Sequence, residues 1–325
     1  MLGVRMFTRA RRPWITVLKF GLGAAALALL LLKFVRLDEV LGALKSAAPA
    51  GVLIGAVLNV ATRVAAAGRT YAVSRVAKLP ISFGQTLQAL FIANFWSLAL
   101  PGVSAGTVAT VWRYHGSGAG VVQSVAVLSA SRMVELVAFC ALALLGLAGP
   151  AGAAGVARAW VAPLLVGVIC SVALGLWTLQ RLPPVGGARD QPGMLRRLRG
   201  TLEAALVVLR GLPRSALLQA WGWALVQGVL DAATVLALAL ALGIHIALPQ
   251  ALWINALCYL AILLPISAAG LGMREVAVLA ALLPLGVSRA DALALALLML
   301  AMMLINALAG ALLQLLTRLP ARQPA

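Results

Sequence analysis

Acidic side chains are what this chain has least of: eight Asp and Glu among 325 residues, against 26 Lys and Arg. Charged residues of both signs make up only 10%, and the mean hydropathy is +1.04. A soluble domain carries about a quarter charged residues, which excludes that class and leaves an integral membrane protein. There are three cysteines and two histidines. Cys140, Cys170 and Cys258 each stand alone in apolar segments, and His115 and His245 are isolated in connecting segments. With no CxxC and no clustered ligands, neither a metal site nor a cofactor is read from the chain. No P-loop is present, so any energy for a reaction cycle has to come from an ion gradient, a partner or the substrate's own gradient. A long water-exposed domain is missing too, since the longest connecting stretch runs from about Gln180 to Pro213.

What the chain does have is long Leu/Ala-rich runs without two-residue alternation, which identifies helices rather than barrel strands as the spanning elements. At about 20 residues per crossing, full crossings are predicted at roughly 15–35, 50–70, 119–147, 158–180, 215–242 and 290–317. The basic cluster Arg5–Arg12 ahead of Ile15–Leu32 resembles the start of a signal peptide, but the apolar run is too long for one. The nearby Ala48-Pro49-Ala50 lies beyond the charged stretch Lys33–Glu39, so an uncleaved first helix is expected. The net charge of +18 follows from basic residues at segment ends, as the positive-inside rule and anionic headgroups require, and gives no reason to invoke nucleic acid. Arg69, Arg75, Lys78 and Arg113, then Arg181 through Arg214, and finally Arg318 and Arg322 are assigned to the cytoplasmic side, with both termini cytoplasmic.

Between the crossings lie two interrupted segments of one design, at about 84–115 and 249–286. Each apolar run stops at Leu-Pro (Leu100-Pro101 and Leu264-Pro265), passes through small residues and glycine (Gly102 and Gly106; Ser267, Gly270 and Gly272), and then resumes helical periodicity. Proline removes a donor and clashes with the preceding turn, while glycine frees the backbone. In a bilayer such a break survives only where it is buried in protein or lines a wet cavity. Both segments are therefore predicted to be re-entrant hairpins, and matched breaks in two halves point to a transport site. Three full crossings per half then make the halves, about 1–148 and 158–325, inverted repeats within a single transmembrane domain. A basic amphipathic connector is expected over about 192–214, where Leu195, Leu198, Leu202, Leu206 and Leu209 share a face.

Few residues in the apolar body carry chemistry. Arg132 and Glu135 are three apart on one helical face; they form either a structural ion pair or a polar point that meets a lipid phosphate. Arg274 falls in the first turn after Gly270-Leu271-Gly272, where the helix dipole disfavours a cation. It is expected to receive an anion there, unless Glu275 neutralises it. Asp231, one turn after Gln227, either binds a coupling proton or pairs with Arg132 or Arg63. Arg63, with Asn59 one turn earlier, is expected to snorkel towards the cytoplasmic surface.

The hairpin motifs resemble those of the lysylphosphatidylglycerol synthase transmembrane region family, flippase-like proteins of the bacterial inner membrane also described as UPF0104. The resemblance spans nearly the whole chain. It rests on Asn94, Leu100-Pro101-Gly102 with Gly106, Ser131-Arg132, Leu264-Pro265-Ile266-Ser267, Gly270-Leu271-Gly272-Met273-Arg274-Glu275 and Leu285-Gly286-Val287. The first hairpin departs from the family pattern, with Thr107 at the usual acidic position, Thr110 at the usual arginine and Arg113 one turn later; Ser131 also replaces an acidic residue. The resemblance implies movement of an anionic or glycosylated lipid, hopanoid and polyprenyl-linked lipids included, between leaflets, without catalysis. The alternatives are an intramembrane lipid-modifying transferase, which would need a cluster of acids or bases, and a membrane scaffold for a lipid-biosynthesis enzyme.

Overall fold

The computed structural model describes residues 37–99, 105–148, 213–263 and 272–317, with isolated positions between 159 and 211. The crossing expected at 15–35, most of 158–180 and most of the 192–214 connector lie outside the described residues. So do the break points Pro101, Gly102, Pro265, Ser267 and Gly270.

The protein is an all-α, polytopic membrane protein. Its described elements are α1 (Leu37–Ser46), α2 (Pro49–Val76), α3 (Phe83–Ala99), α4 (Ala105–Gly116), α5 (Val121–Ala148), α6 (Arg214–Ala241), α7 (Leu248–Leu263), α8 (Met273–Leu282), a 3-10 turn (Leu283–Leu285) and α9 (Arg289–Leu316). Four of these, α2, α5, α6 and α9, are 28 residues long and apolar enough to cross a membrane. At 1.5 Å per residue each reaches about 42 Å, more than the ~30 Å hydrocarbon core. Local chemistry sets the ends. Pro49 sits in the first turn of α2, where its missing N–H costs nothing. The Ser288 hydroxyl accepts the Asp291 N–H at 3.1 Å to cap α9.

α2 and α6 pack antiparallel along most of their length. Gly51 lies against Ala241, Gly55 against Leu238 and Gly68 against the Trp223 ring, close enough that a Cβ on any of them would fall within 2.8 Å of the partner helix. Small residues permit this approach, and close packing rather than water exclusion holds membrane helices together.

Each interrupted segment folds back on itself. Gly106, at the start of α4, lies against Ser97 and the Ala93 carbonyl of α3, and Tyr114 near the end of α4 lies beside Thr86 near the start of α3. A segment running straight on would separate these residues by more than the hairpin allows. In the second segment Arg274 and Glu275 of α8 return beside Cys258 of α7. The hairpins also cross over: α3 packs on α9, and α7 packs on α5. Both crossings use a glycine. A Cβ at Gly310 would stand 2.0 Å from the Phe91 carbonyl oxygen, and one at Gly146 would stand 2.3 Å from that of Pro249. Under the exchange of α2 with α6, α3 with α7, α4 with α8 and α5 with α9, the packing partners of one set become those of the other.

Candidate functional site

Three long helices bring polar side chains together, from near the middle of α5 and α6 and about three quarters of the way along α2. α2 supplies Arg69, α5 supplies Ser131, Arg132 and Glu135, and α6 supplies Gln227. The run Ala65-Ala66-Ala67-Gly68 keeps α2 narrow here, so its neighbours approach closely.

Glu135 is the hub. Its Oε2 accepts from Arg132 Nη1 at 2.7 Å and pairs with Arg69 Nη2 at 3.1 Å, while Oε1 accepts from Gln227 Nε2 at 2.8 Å. Arg69 is tied on every side: Nη1 donates to Gln227 Oε1 at 2.5 Å and Nε to Ser131 Oγ at 3.0 Å. Ser131 in turn shares a hydrogen bond with Thr70 at 3.1 Å. A buried ion pair is tolerated when its remaining lone pairs and protons are satisfied, and Arg69 and Glu135 meet that condition with side chains 3% exposed each. Arg132 is different, because its side chain remains 63% exposed while paired.

That exposure opens into a cavity of about 340 Å³ bounded by α2, α3, α4, α5 and α6. Its charged lining consists of Arg63, Arg69, Arg132 and Glu135, three positive charges against one negative. Asn94 and Ser97 of α3 and Thr107 and Thr110 of α4 add uncharged polar groups, and the first hairpin therefore forms a wall of the cavity. Gly106 belongs to that wall; a Cβ there would collide with Ser97 Oγ at 2.3 Å.

The other sequence-predicted residues fall in three places. Asp231 lies within electrostatic reach of Arg63 of α2, with Thr62 and Gln227 beside it. Arg63 lines the cavity. Arg274 and Glu275 stand apart from the cavity. Arg274 Nη2 donates to Glu275 Oε1 at 2.9 Å, and the side chains are 8% and 0% exposed. The second oxygen of Glu275 accepts the Gly272 N–H at 2.7 Å, capping α8 where Gly272 adopts φ 84°. Arg113 hydrogen-bonds Thr317 at the end of α9, at 3.0 Å, and does not line the cavity.

Arg69 is the residue that sequence reasoning misplaced. Assigned to the cytoplasmic end of a crossing expected at 50–70, it is instead buried, because α2 continues unbroken to Val76. The available signal was the lack of any proline between Ala50 and Leu79.

With this geometry in view, the family profile described as Lysylphosphatidylglycerol synthase TM region matches residues 16–310. The chain belongs to this family. The matched span contains both hairpins and every member of the Glu135 cluster, and it identifies the protein as a membrane protein of a lipid-related family. Among curated proteins, none matches the chain.

Proposed function

We propose that this member of the family is a lipid flippase-like transporter that passes an anionic or glycosylated headgroup through the cavity while the acyl chains stay in the bilayer. It performs no chemistry on the lipid. The observation that carries this reading is Arg132: an arginine halfway along a membrane-spanning helix, 63% exposed, in a cavity whose lining carries more positive than negative charge. Keeping a guanidinium at such depth costs at least about 2.5–3.5 kcal/mol on insertion scales, and Glu135 offsets part of that cost. The open side of the guanidinium offers charge-assisted hydrogen bonds to a phosphate or another anion.

The hairpins dip partway into the bilayer from opposite faces, and the counterpart helices α2 and α6, which run antiparallel, belong to halves of inverted topology. That arrangement suits alternating access to a site near the midplane. The protein resides in a bacterial inner membrane with both termini cytoplasmic, consistent with its basic segments. Arg274 and Glu275 neutralise each other at the start of α8, and any headgroup contact there requires that pair to part.

The test is reconstitution of the full chain into sealed liposomes with labelled anionic, glycosylated and zwitterionic lipids, scoring leaflet exchange. Exchange of the anionic or glycosylated lipid is expected, with a drop of about tenfold or more for Arg132→Gln. Wild-type vesicles without exchange, or a well-assembled Arg132→Gln protein with the wild-type rate, would overturn the proposal.

A further inference from the structure

Among the described residues, the second hairpin contributes nothing to the lining of the cavity. Its first arm nevertheless reaches the guanidinium on which the site depends. The Tyr259 hydroxyl of α7 lies beside Arg132 at hydrogen-bonding range, with Glu135 and Arg69 close by. The ring behind that hydroxyl is seated. It packs tilted on Phe139 of α5, with centroids 5.0 Å apart and planes at 58°, and Phe139 is itself 4% exposed. Gly228 of α6 makes room for the seat, because a Cβ there would stand 3.2 Å from two atoms of the Phe139 ring. Phe139 follows Arg132 by two helical turns on one face of α5, so a ring resting on the first aims its hydroxyl along the helix at the second.

Glu135 alone does not fix Arg132. A guanidinium presents five N–H groups in one plane, and here a single carboxylate oxygen, shared with Arg69, holds one corner of it. An exposed arginine held at one point still swings about that contact, and ordering it costs side-chain entropy whenever an anion binds. A second acceptor from another direction stops the swing. The phenol oxygen supplies one without adding charge, whereas a second carboxylate would cancel the positive charge that an anion needs.

We infer that Tyr259 is a positioning residue: it orients Arg132 for anion binding and makes that site depend on the second hairpin. This rests on Arg132 being the anion-binding group, as proposed above. Tyr259 acts through Arg132 and does not itself hold the headgroup. Cys258, the residue before it, lies beside Arg274 and Glu275 of α8, so the hydroxyl travels with the hairpin. Hydrogen bonds weaken steeply beyond about 3.2 Å. A small displacement of α7 along α5 therefore withdraws the hydroxyl and lets the guanidinium swing, which lowers the affinity of a site in the other half of the molecule.

Phosphatidylglycerol serves as the anionic probe, titrated against the full chain in phosphatidylcholine nanodiscs, with leaflet exchange followed separately in liposomes. Tyr259→Phe keeps the ring on Phe139 and removes only the oxygen. Binding is expected to weaken about fivefold to tenfold, with the unfolding midpoint unchanged. A tyrosine that only packs α7 on α5 would leave the affinity alone. In an Arg132→Gln background the same substitution should change binding by less than about twofold, since nothing remains to be positioned. Phe139→Leu, which removes the seat, should weaken binding in the same Arg132-dependent way, and it decides the matter if Tyr259→Phe fails to assemble. Arg132-dependent binding that neither substitution alters overturns the inference and leaves the cavity site standing. An effect of Tyr259→Phe that is equally large without Arg132 also overturns it. A wild-type chain that binds no phosphatidylglycerol removes the cavity site and the inference with it. Tyrosine-dependent binding without leaflet exchange would remove the transporter reading and leave the positioning role in place.

Discussion

Two glutamates among the described residues pair with arginine, and they differ in what each carboxylate has left to do. Glu275 serves one guanidinium, Arg274, and spends its second oxygen on the Gly272 N–H at the start of α8. Charge and cap are satisfied within four consecutive residues, and the pair is sealed. Glu135 divides itself among Arg69, Arg132 and Gln227, drawn from three helices. Arg69 is thereby buried, and Arg132, bonded to Glu135 and beside the Tyr259 hydroxyl of α7, keeps its side chain 63% exposed. A carboxylate matched one to one closes a site, whereas one shared by two cations leaves a cation available. A third polar contact shows the uncharged version: Asn306 of α9 donates to Asn59 of α2 at 3.1 Å, and Asn59 donates to the Met302 carbonyl at 3.3 Å. It joins two helices and presents no charge.

The sharpest way to break this comparison is to remove the shared carboxylate. Glu135→Ala leaves two guanidiniums facing each other across α2 and α5, and a loss of about 3–5 kcal/mol is expected, read as thermal or detergent unfolding of the purified protein. An unchanged unfolding midpoint would show that the cluster does not hold the three helices together.

Overpacking a crossing comes next. Gly310→Val drives a side chain into the Phe91 backbone and should cost about 1–3 kcal/mol by the same assay. Gly146→Val should do likewise at the counterpart crossing beside Pro249. A marked difference between the two would break the correspondence between the sets of helices.

The sealed and open pairs are then separated by double replacement. Glu275→Gln alone strands Arg274 and should destabilise by about 3 kcal/mol, whereas Arg274→Met with Glu275→Gln should recover most of that loss. Leaflet exchange by the double variant should stay within about threefold of wild type. Applied to the open pair, Arg132→Met with Glu135→Gln should not restore exchange, however stable the protein becomes. Rescue at both pairs would make the Glu135 centre structural.

The smallest effect belongs to the uncharged contact. Asn306→Leu removes one side-chain hydrogen bond and should cost about 1 kcal/mol, with exchange unaffected. A large fall in exchange would give α9 a place in the transport path.

Much of this architecture was readable from residues alone. The edges of α5, α6 and α9 fall within two residues of the runs expected at 119–147, 215–242 and 290–317, since apolar length in a bilayer leaves little freedom. The expected Leu-Pro breaks lie outside the described residues, but the arms on either side of each, α3 with α4 and α7 with α8, pack together as the hairpin reading expects. The span of α2 was underestimated, since an arginine at the end of an apolar run reads as a loop charge unless its partner is known. Arg69 is compatible with the membrane interior only through Glu135 and Gln227, 66 and 158 positions away in the chain. The i,i+3 spacing of Arg132 and Glu135 was visible, but not that Glu135 would be claimed by a second cation.

Composition and apolar run length by themselves determined that this is a helical membrane protein and where the long helices α5, α6 and α9 run. Water-free surroundings force each backbone to satisfy itself locally, and local patterns reveal that. Tertiary structure alone decided which of the few charges neutralise one another and which one stays open to a cavity. Pairing across helices depends on their relative rotation and close approach, and no spacing along a single helix encodes either.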